Sequence, residues 1–367
     1  MLQSTSRRVG AGRLANALAA VFMFLIGHVS SARVHASTRH VREGQSIQNV
    51  IDAASPGDRI FVDAGTYAEQ LTIKTDGIAL IGIDTVLIPP AIPTQNLCTG
   101  LAGDNTQAGI CVTGSNVELA PFQYDHREVV SVGRPVEDVS ITGFQIRGFS
   151  GENLALIGTR NARVTGNKLL DGQKYGFLTA GSGNTLATGN VVTSSTGLLF
   201  IGMCLDDLVN TTKISNNKIS GYWIGLCVQT AGADVRKNKV KDCCVGAYID
   251  AGINGAKISQ NYVSSLNTGC PKEGPTSGIY IDGAINTLIE HNIVEGQTNG
   301  DSATGISIVD HTIPPPPVPP VVLASGNVIR RNILRNNDID LFVNATGPGN
   351  VIVQNQCSTP TELCKVA

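Results

Sequence analysis

The sequence predicts an all-β fold class, a solenoid of three-strand coils, and three observations predict it. The first is a recurring asparagine. From residue 155 onward, a short alternating strand, a small-residue turn, a second strand, an Asn and a third strand follow one another. The Asn falls at Asn167, Asn190, Asn217, Asn238, Asn261, Asn292, Asn332 and Asn355, at spacings of 23, 27, 21, 23, 31, 40 and 23. The second is a column two residues further on: Leu169, Val192, Ile219, Val240, Val263, Val294, Leu334 and finally Cys357. The third is composition. With 41 Gly, 15% charged and 5% aromatic residues the chain suits short strands joined by tight turns, and 42% hydrophobic residues exclude disorder.

Each element follows from that period. A repeat of 21 to 23 residues carrying three short strands is one turn of a β-coil. Coils stack about 4.8 Å apart, so equivalent residues form ladders along the axis. Asn side chains stacked in this way hydrogen-bond from coil to coil, a structural role. The Leu-x-x-Leu-x-Leu signature and helices of the competing leucine-rich solenoid are missing. At the N-terminal end Ile47, Val50, Ile51 and Ala54 lie at i, i+3, i+4 and i+7, which predicts a capping helix near 46–54 that stops at Ser55-Pro56-Gly57-Asp58. The strands RIFVDAGTY, LTIK, IALIG and TVLIP follow. Repeats run to about residue 357, and residues 37–367 are expected to form a single β-helix domain with a disulfide-closed C-terminal tail.

Residues 1–36 read as a secretory signal. Arg7, Arg8 and Arg13 form a positive start, and Ala17 to Gly27 an apolar run too short to span a bilayer. Cleavage after Ala36 leaves 23 basic and 29 acidic residues, a net charge of −6. That balance excludes nucleic acid as a partner and, once the signal is removed, the sequence offers no membrane segment. The expectation is a secreted, extracellular monomer.

Aligned on its leading glycine, the first strand of successive coils reads Gly202-Met-Cys-Leu-Asp206, Gly225-Leu-Cys-Val-Gln229, Gly246-Ala-Tyr-Ile-Asp250, Gly278-Ile-Tyr-Ile-Asp282 and Gly305-Ile-Ser-Ile-Val-Asp310. Alternation along a strand turns Leu205, Val228, Ile249, Ile281 and Ile308 inward. It turns Cys204 and Asp206, Cys227 and Gln229, Tyr248 and Asp250, and Tyr280 and Asp282 outward. Asp250 and Asp282 are then one rung apart, and two charges about 5 Å apart repel by about 3 kcal/mol at an effective dielectric near 20. Such a pair shares a proton or holds a hard cation such as calcium. Asp206 and Asp250, with Gln229 between them, are expected about 9.6 Å apart, near the upper end of the inverting-glycosidase range. Tyr248 and Tyr280 offer ring faces to a sugar. Asp before Gly or Ala at a strand end is also ordinary turn chemistry. Insertions at Leu266–Thr276 and Pro314–Pro320 interrupt the period beside this column, and long inserts in a solenoid often wall a binding face.

The opening SIQNVIDAASPGDRIFVDAGTY, together with the repeats, resembles right-handed parallel β-helix proteins of the pectin-lyase-like superfamily over residues 41–357. The resemblance implies a right-handed parallel β-helix of about ten coils and, in many members, action on a polysaccharide. Ser307-Ile-Val-Asp310-His311 is similar to the Trp-Ile-Asp-His motif of pectate and pectin lyases, without its Trp. Asp206-Asp207 matches only one part of the polygalacturonase set, and the Asp-Pro-His-Asp motif of alginate epimerases is missing.

Nine cysteines fit an oxidising compartment, and their odd number leaves at least one unpaired or shared between chains. Cys204 and Cys227 share the outer column on adjacent coils, within reach of a disulfide. Cys98 with Cys111 and Cys357 with Cys364 would close short loops, and Cys270 would pair with Cys243 or Cys244. Asn210 and Asn344 are glycan acceptors in Asn-x-Thr sequences. His126 and His291 stand among charged neighbours and read as solvated. Two functions stay open. One is a polysaccharide lyase, hydrolase or epimerase with Asp206, Asp250, Asp282, Asp310 and His311 as catalytic candidates, Tyr248, Tyr280 and Gln229 binding sugar, and calcium as the only candidate cofactor. The other is a non-catalytic scaffold or glycan-binding surface protein whose Asp residues form turns. Converging carboxylates would favour the first, and carboxylates tied to their own turn amides the second.

Overall fold

The computed structural model describes residues 36–208, 211–272, 274–300, 302–312 and 321–364. The expected secretory signal, Asn210 and the proline run at 314–320 lie outside the described residues. The chain is a right-handed parallel β-helix. One face is a ten-strand parallel sheet with a single strand from each coil, in the order Leu71–Ile73, Ile110–Thr113, Glu152–Ile157, Tyr175–Ala180, Leu199–Asp206, Tyr222–Val228, Val245–Ile249, Ser277–Asp282, Thr304–Val309 and Ile339–Asn344. Twenty further strands form a sheet that wraps the remaining two faces, and two two-strand ribbons lie outside both.

The asparagine column is the spine of the fold. Each ladder Asn is buried, and from Asn190 onward its side-chain oxygen accepts from both the backbone N–H and the Nδ2 of the Asn one coil earlier, while the Asn167 oxygen accepts from the Phe144 N–H. Asn217 donates both bonds to Asn238 Oδ1 at 3.0 Å, and Asn238 does the same to Asn261. Its own Nδ2 also donates to a backbone carbonyl, as Asn238 does to Ile214 at 3.0 Å. The residue before each ladder Asn has positive φ, from Gly166 to Gln354, so the ladder sits inside a left-handed corner. The leading glycines have a packing reason. A Cβ on Gly202 or Gly225 would lie 2.6 and 2.5 Å from Ile219 and Val240, which belong to the apolar column after the Asn. Glycine is therefore what lets the two walls of the coil meet.

The inward set Leu205, Val228, Ile249, Ile281 and Ile308 is fully buried in one continuous core. The cap helix is Ile47–Asp52, with Ser46 as its N-cap and Ile47 and Ile51 buried. Glu69 accepts from the Ile47 and Gln48 N–H groups, satisfying free donors of the first turn. Gln48 exchanges hydrogen bonds with the backbone of Thr72 at 2.7 and 3.1 Å, so its amide stands in for a missing strand at the sheet edge. At the other end, the Cys357–Cys364 disulfide closes the tail, and Thr359 accepts from the Leu341 N–H.

Two expectations about the outer face are corrected. Cys204 and Cys227 are in register but form no disulfide; both are buried free thiols, as is Cys243. Their face is not open to solvent at this level. Two segments of an insertion that spans 89–135 lie over it, on either side of the sheet strand Ile110–Thr113: the first is stapled to that strand by Cys98–Cys111, and the second carries an antiparallel hairpin of Ser115–Leu119 and Val129–Arg134. Leu101, Ala102, Ala108 and Val129 build a second apolar cluster there with Ala155, Ile157, Leu178, Cys204 and Cys227. In that setting burial raises the Cys204 thiol well above its ordinary range, and the Cys227 thiol is raised as well. Cys270 pairs with Cys244. Asn344 is exposed at the end of its strand.

Candidate active site on the outer face of the ten-strand sheet

The expected column forms. Val228, Ile249 and Ile281 are in register, which places Gln229, Asp250 and Asp282 on successive rungs directly after them. Asp282 is the best-connected member. Its Oδ2 accepts from the Tyr248 hydroxyl at 2.5 Å and lies 2.7 Å from His311 Nδ1. His311 is held beside it by a backbone bridge, His311 N–H to Val322 O at 2.9 Å and Val322 N–H to His311 O at 3.1 Å. Gly283 makes room for this approach. Its φ is +65°, and a Cβ there would lie 2.7 Å from the His311 Cβ and 2.6 Å from the Val322 carbonyl.

Asp250 sits in a different environment one rung away. Gln229 Nε2 donates to its Oδ2 at 2.9 Å and the Ala251 N–H to its Oδ1 at 2.7 Å. Burial raises its pKa above the ordinary carboxylate value, and the charges of Asp125 and Asp282 push the same way, against those hydrogen bonds. Tyr248 is also raised, by burial first and then by the neighbouring carboxylates. The hydroxyl therefore stays protonated and donates a hydrogen bond to Asp282. The two tyrosine rings stack on each other, with centroids 5.7 Å apart and an interplanar angle of 6°. One face of each expected sugar platform is thus covered by the other ring.

Asp310 does not join this cluster. Its Oδ1 accepts from the Ala324 N–H at 2.9 Å, and its Oδ2 accepts from the Thr346 N–H at 2.8 Å and hydroxyl at 2.5 Å. Its partners lie in the loop that follows it and in the turn after the next coil's strand, Ile339–Asn344. Asp250 and Asp282 stay on neighbouring rungs with separate partners. Three of their four oxygens are met by protein donors, and no group of three or more His, Cys, Asp or Glu side chains suited to a metal occurs among the described residues.

The sequence reading missed the upper half of the site. His126 is not solvated but 3% exposed, carried onto the sheet by the loop between the two hairpin strands. Its Nε2 lies 3.1 Å from Asp206 Oδ2 and its Nδ1 3.2 Å from the Tyr175 hydroxyl. Burial alone would lower its pKa, but hydrogen bonds and charges of Asp125 and Asp206 override this and raise it to about 10. Asp125 is the counterpart: burial would raise it, and His126 and Gln229 bring it down to about 2. Gln229 Nε2 donates to Asp125 as well as to Asp250, and Cys204 donates to Gln229 Oε1 at 3.4 Å. Asp206, His126, Asp125, Gln229 and Asp250 therefore form one polar chain along the axis. Glu152, fully buried, has no hydrogen-bond partner on either carboxyl oxygen, and desolvation raises it to about 8. The available signal was the insert itself: residues 89–135 lack the Asn period and carry Asp125-His126. His291 is exposed at a left-handed corner and takes no part.

The family model described as "Periplasmic copper-binding protein (NosD)" matches residues 51–270, and the model described as "Right handed beta helix region" matches residues 201–361. No curated protein sequence matches the chain. Among solved structures, DFA-IIIase from Arthrobacter chlorophenolicus A6 is similar with a TM-score of 0.53 at 11% identity, over 85% of this chain and 87% of that one. A double mutant of the periplasmic alginate epimerase AlgG gives 0.50 at 14% identity, over 86% and 83%. The Dettilon tailspike protein gives 0.53 at 12% identity, over 86% and 62%. At such identities the likeness is one of fold, and a fold of this kind hosts both enzymes and binding proteins.

Proposed function

We propose that this chain, which belongs to the NosD family, is a secreted enzyme that acts on a glycan by acid–base chemistry on the outer face of its ten-strand sheet. The observation that carries this reading is the single oxygen of Asp282 shared by Tyr248 and His311, one rung from a carboxyl with a raised pKa. With Nδ1 donating to Asp282, the Nε2 lone pair of His311 is the proton acceptor, and the carboxylate stabilises the imidazolium that results. Asp250 is the complementary donor, because burial favours its neutral form. Two carboxyl groups with different environments and different roles are the usual arrangement for proton transfer at one sugar centre. Elimination, hydrolysis and epimerisation all use such a pair.

The family description names copper, and the donor sets among the described residues do not fit it. A metal ligand must be deprotonated. The buried thiols Cys204 and Cys227 have raised pKa values, and both ring nitrogens of His126 are engaged by Tyr175 and Asp206. The scaffold reading rests on one observation of its own, the Asp250 oxygen that accepts from the adjacent Ala251 N–H, which is turn chemistry.

The test offers the secreted chain pectic, alginate and glucan substrates, with calcium and with chelator, following unsaturated-uronide absorbance, new reducing ends and the proton spectrum of the recovered polymer. Absorbance means a lyase, reducing ends alone a hydrolase, and altered uronate signals alone an epimerase. Each signal should vanish in Asp282→Asn. No signal from any substrate would leave the scaffold reading in place of the enzyme.

A further inference from the structure

The described cations of this protein are unevenly placed. Residues 211–241 hold Lys213, Lys218, Arg236, Lys237, Lys239 and Lys241 against a single acid, Asp234, in a chain whose overall charge is negative. The β-helix gathers these six at consecutive rungs around one left-handed corner of the twenty-strand sheet. Lys218 and Lys239 are direct register partners, each the first residue of the strand after a ladder Asn. Ser215 pairs with Arg236 and Ser220 with Lys241, which sets hydroxyl groups between the charges. Lys237 occupies the corner itself, at φ 56°. All six are exposed.

Neither folding nor internal pairing accounts for this arrangement. The same column holds Lys168, Val191, Tyr262, Ile293 and Ile333 on other rungs, so the coil accepts apolar residues there and has no need of lysine. Like charges directly opposite on neighbouring strands are destabilising, and lysine is a poor strand former. Arg236 lies 3.5 Å from Asp234 and Lys241 3.3 Å from Asp242. Lys213, Lys218, Lys237 and Lys239 form no ion pair with a described residue. The next rung after Lys239 carries the half-buried ring of Tyr262.

We infer that this corner binds a polyanionic polysaccharide, its carboxylates running along the lysine rungs and a sugar ring meeting Tyr262. The rise between rungs, about 4.8 Å, is comparable to the length of one monosaccharide unit, so successive carboxylates meet successive cations. Surface and active site lie on different sheets, and binding here needs no catalysis at Asp282. The corner names the class of glycan, an acidic one, that the proposed enzyme is held against.

The experiment measures binding of the full secreted chain to immobilised polygalacturonate, with neutral dextran and duplex DNA as comparison probes, in the wild type, Lys218→Glu/Lys239→Glu, Lys218→Gln/Lys239→Gln and Asp282→Asn. Expected are binding to polygalacturonate at low salt that weakens as salt rises, no retention on dextran, and at least a tenfold loss in the charge-reversed variant with an unchanged melting temperature. The Gln pair should lose less, and Asp282→Asn should bind as the wild type while inactive. The inference is overturned by absent binding at low salt, by unchanged binding in both lysine variants, by tighter binding to DNA than to polygalacturonate, or by loss of binding in Asp282→Asn.

Discussion

His311 Nδ1 stands 2.7 Å from Asp282 Oδ2 although 29 residues separate them, and the same oxygen takes the Tyr248 hydroxyl bond from one rung away. The stacking of coils, not proximity in sequence, builds this three-residue unit. In the proposed mechanism a carboxylate that orients an imidazole and accepts a phenolic hydrogen bond supports proton transfer, and general acid–base groups contribute about 10²–10⁴-fold in rate. Asp282→Asn should therefore cost activity on that order while leaving the melting temperature within a few degrees. A full-rate Asn variant would remove Asp282 from the mechanism.

Gly283→Ala tests the positioning of His311 without touching a reacting group. The left-handed backbone disfavours a Cβ by about 1–2 kcal/mol, and the new methyl would meet His311 Cβ and the Val322 carbonyl. We expect turnover to fall by at least tenfold, with a modest loss of stability by chemical unfolding. Turnover at the wild-type level would show that His311 need not be held in this place.

Asp250 should trade stability against function. Its folded-state pKa is raised, chiefly by burial. The folded protein therefore retains that proton above the pH at which the unfolded chain releases it, and stability declines as pH climbs from the ordinary carboxylate range through the raised value. Asp250→Asn removes the decline, so its melting temperature at pH 7 should match or exceed that of the wild type while its activity collapses. A lower melting temperature would mean that the ionised carboxylate supports the fold.

Glu152 gives the same sign more sharply, because it is buried without partners and titrates near 8 against an ordinary 4.5. Stability should fall between about pH 4.5 and 8 and then level. In Glu152→Gln that slope should flatten, as followed by urea midpoints across the range. An unchanged slope would assign the pH dependence to other groups.

His126 latches the insert. Its pKa is raised to about 10 from 6.5, so its contribution is fully present below pH 6.5 and is lost as pH rises through about 10. Asp125, lowered to about 2, contributes above its ordinary 3.8 and loses that contribution only as pH falls through about 2. His126→Ala leaves Asp125 and Asp206 without their cation, at a cost of about 1–3 kcal/mol. Limited proteolysis within residues 120–128 should accelerate in this variant at pH 7, and in the wild type only above about pH 9. Equal cleavage rates would show that other contacts hold the loop.

Much of this molecule was legible in the residues. The Asn period, the apolar column behind it and the alternation along each first strand specified the coil, the inward core and the Asp column. These are local properties: strand alternation and the stacking rise are the same in every coil, so a pattern in one dimension fixes a ladder in three. The tertiary structure decided what covers the ladder and which members act together. His126 meets Asp206 across 80 residues, carried by an insert with no period of its own. That insert buries Cys204 and Cys227 as free thiols. Asp310 stayed apart because Ala324 and Thr346, brought near by later coils, offered it N–H groups. Where an irregular loop lands depends on the surface it finds, and that surface exists only once the coils have stacked.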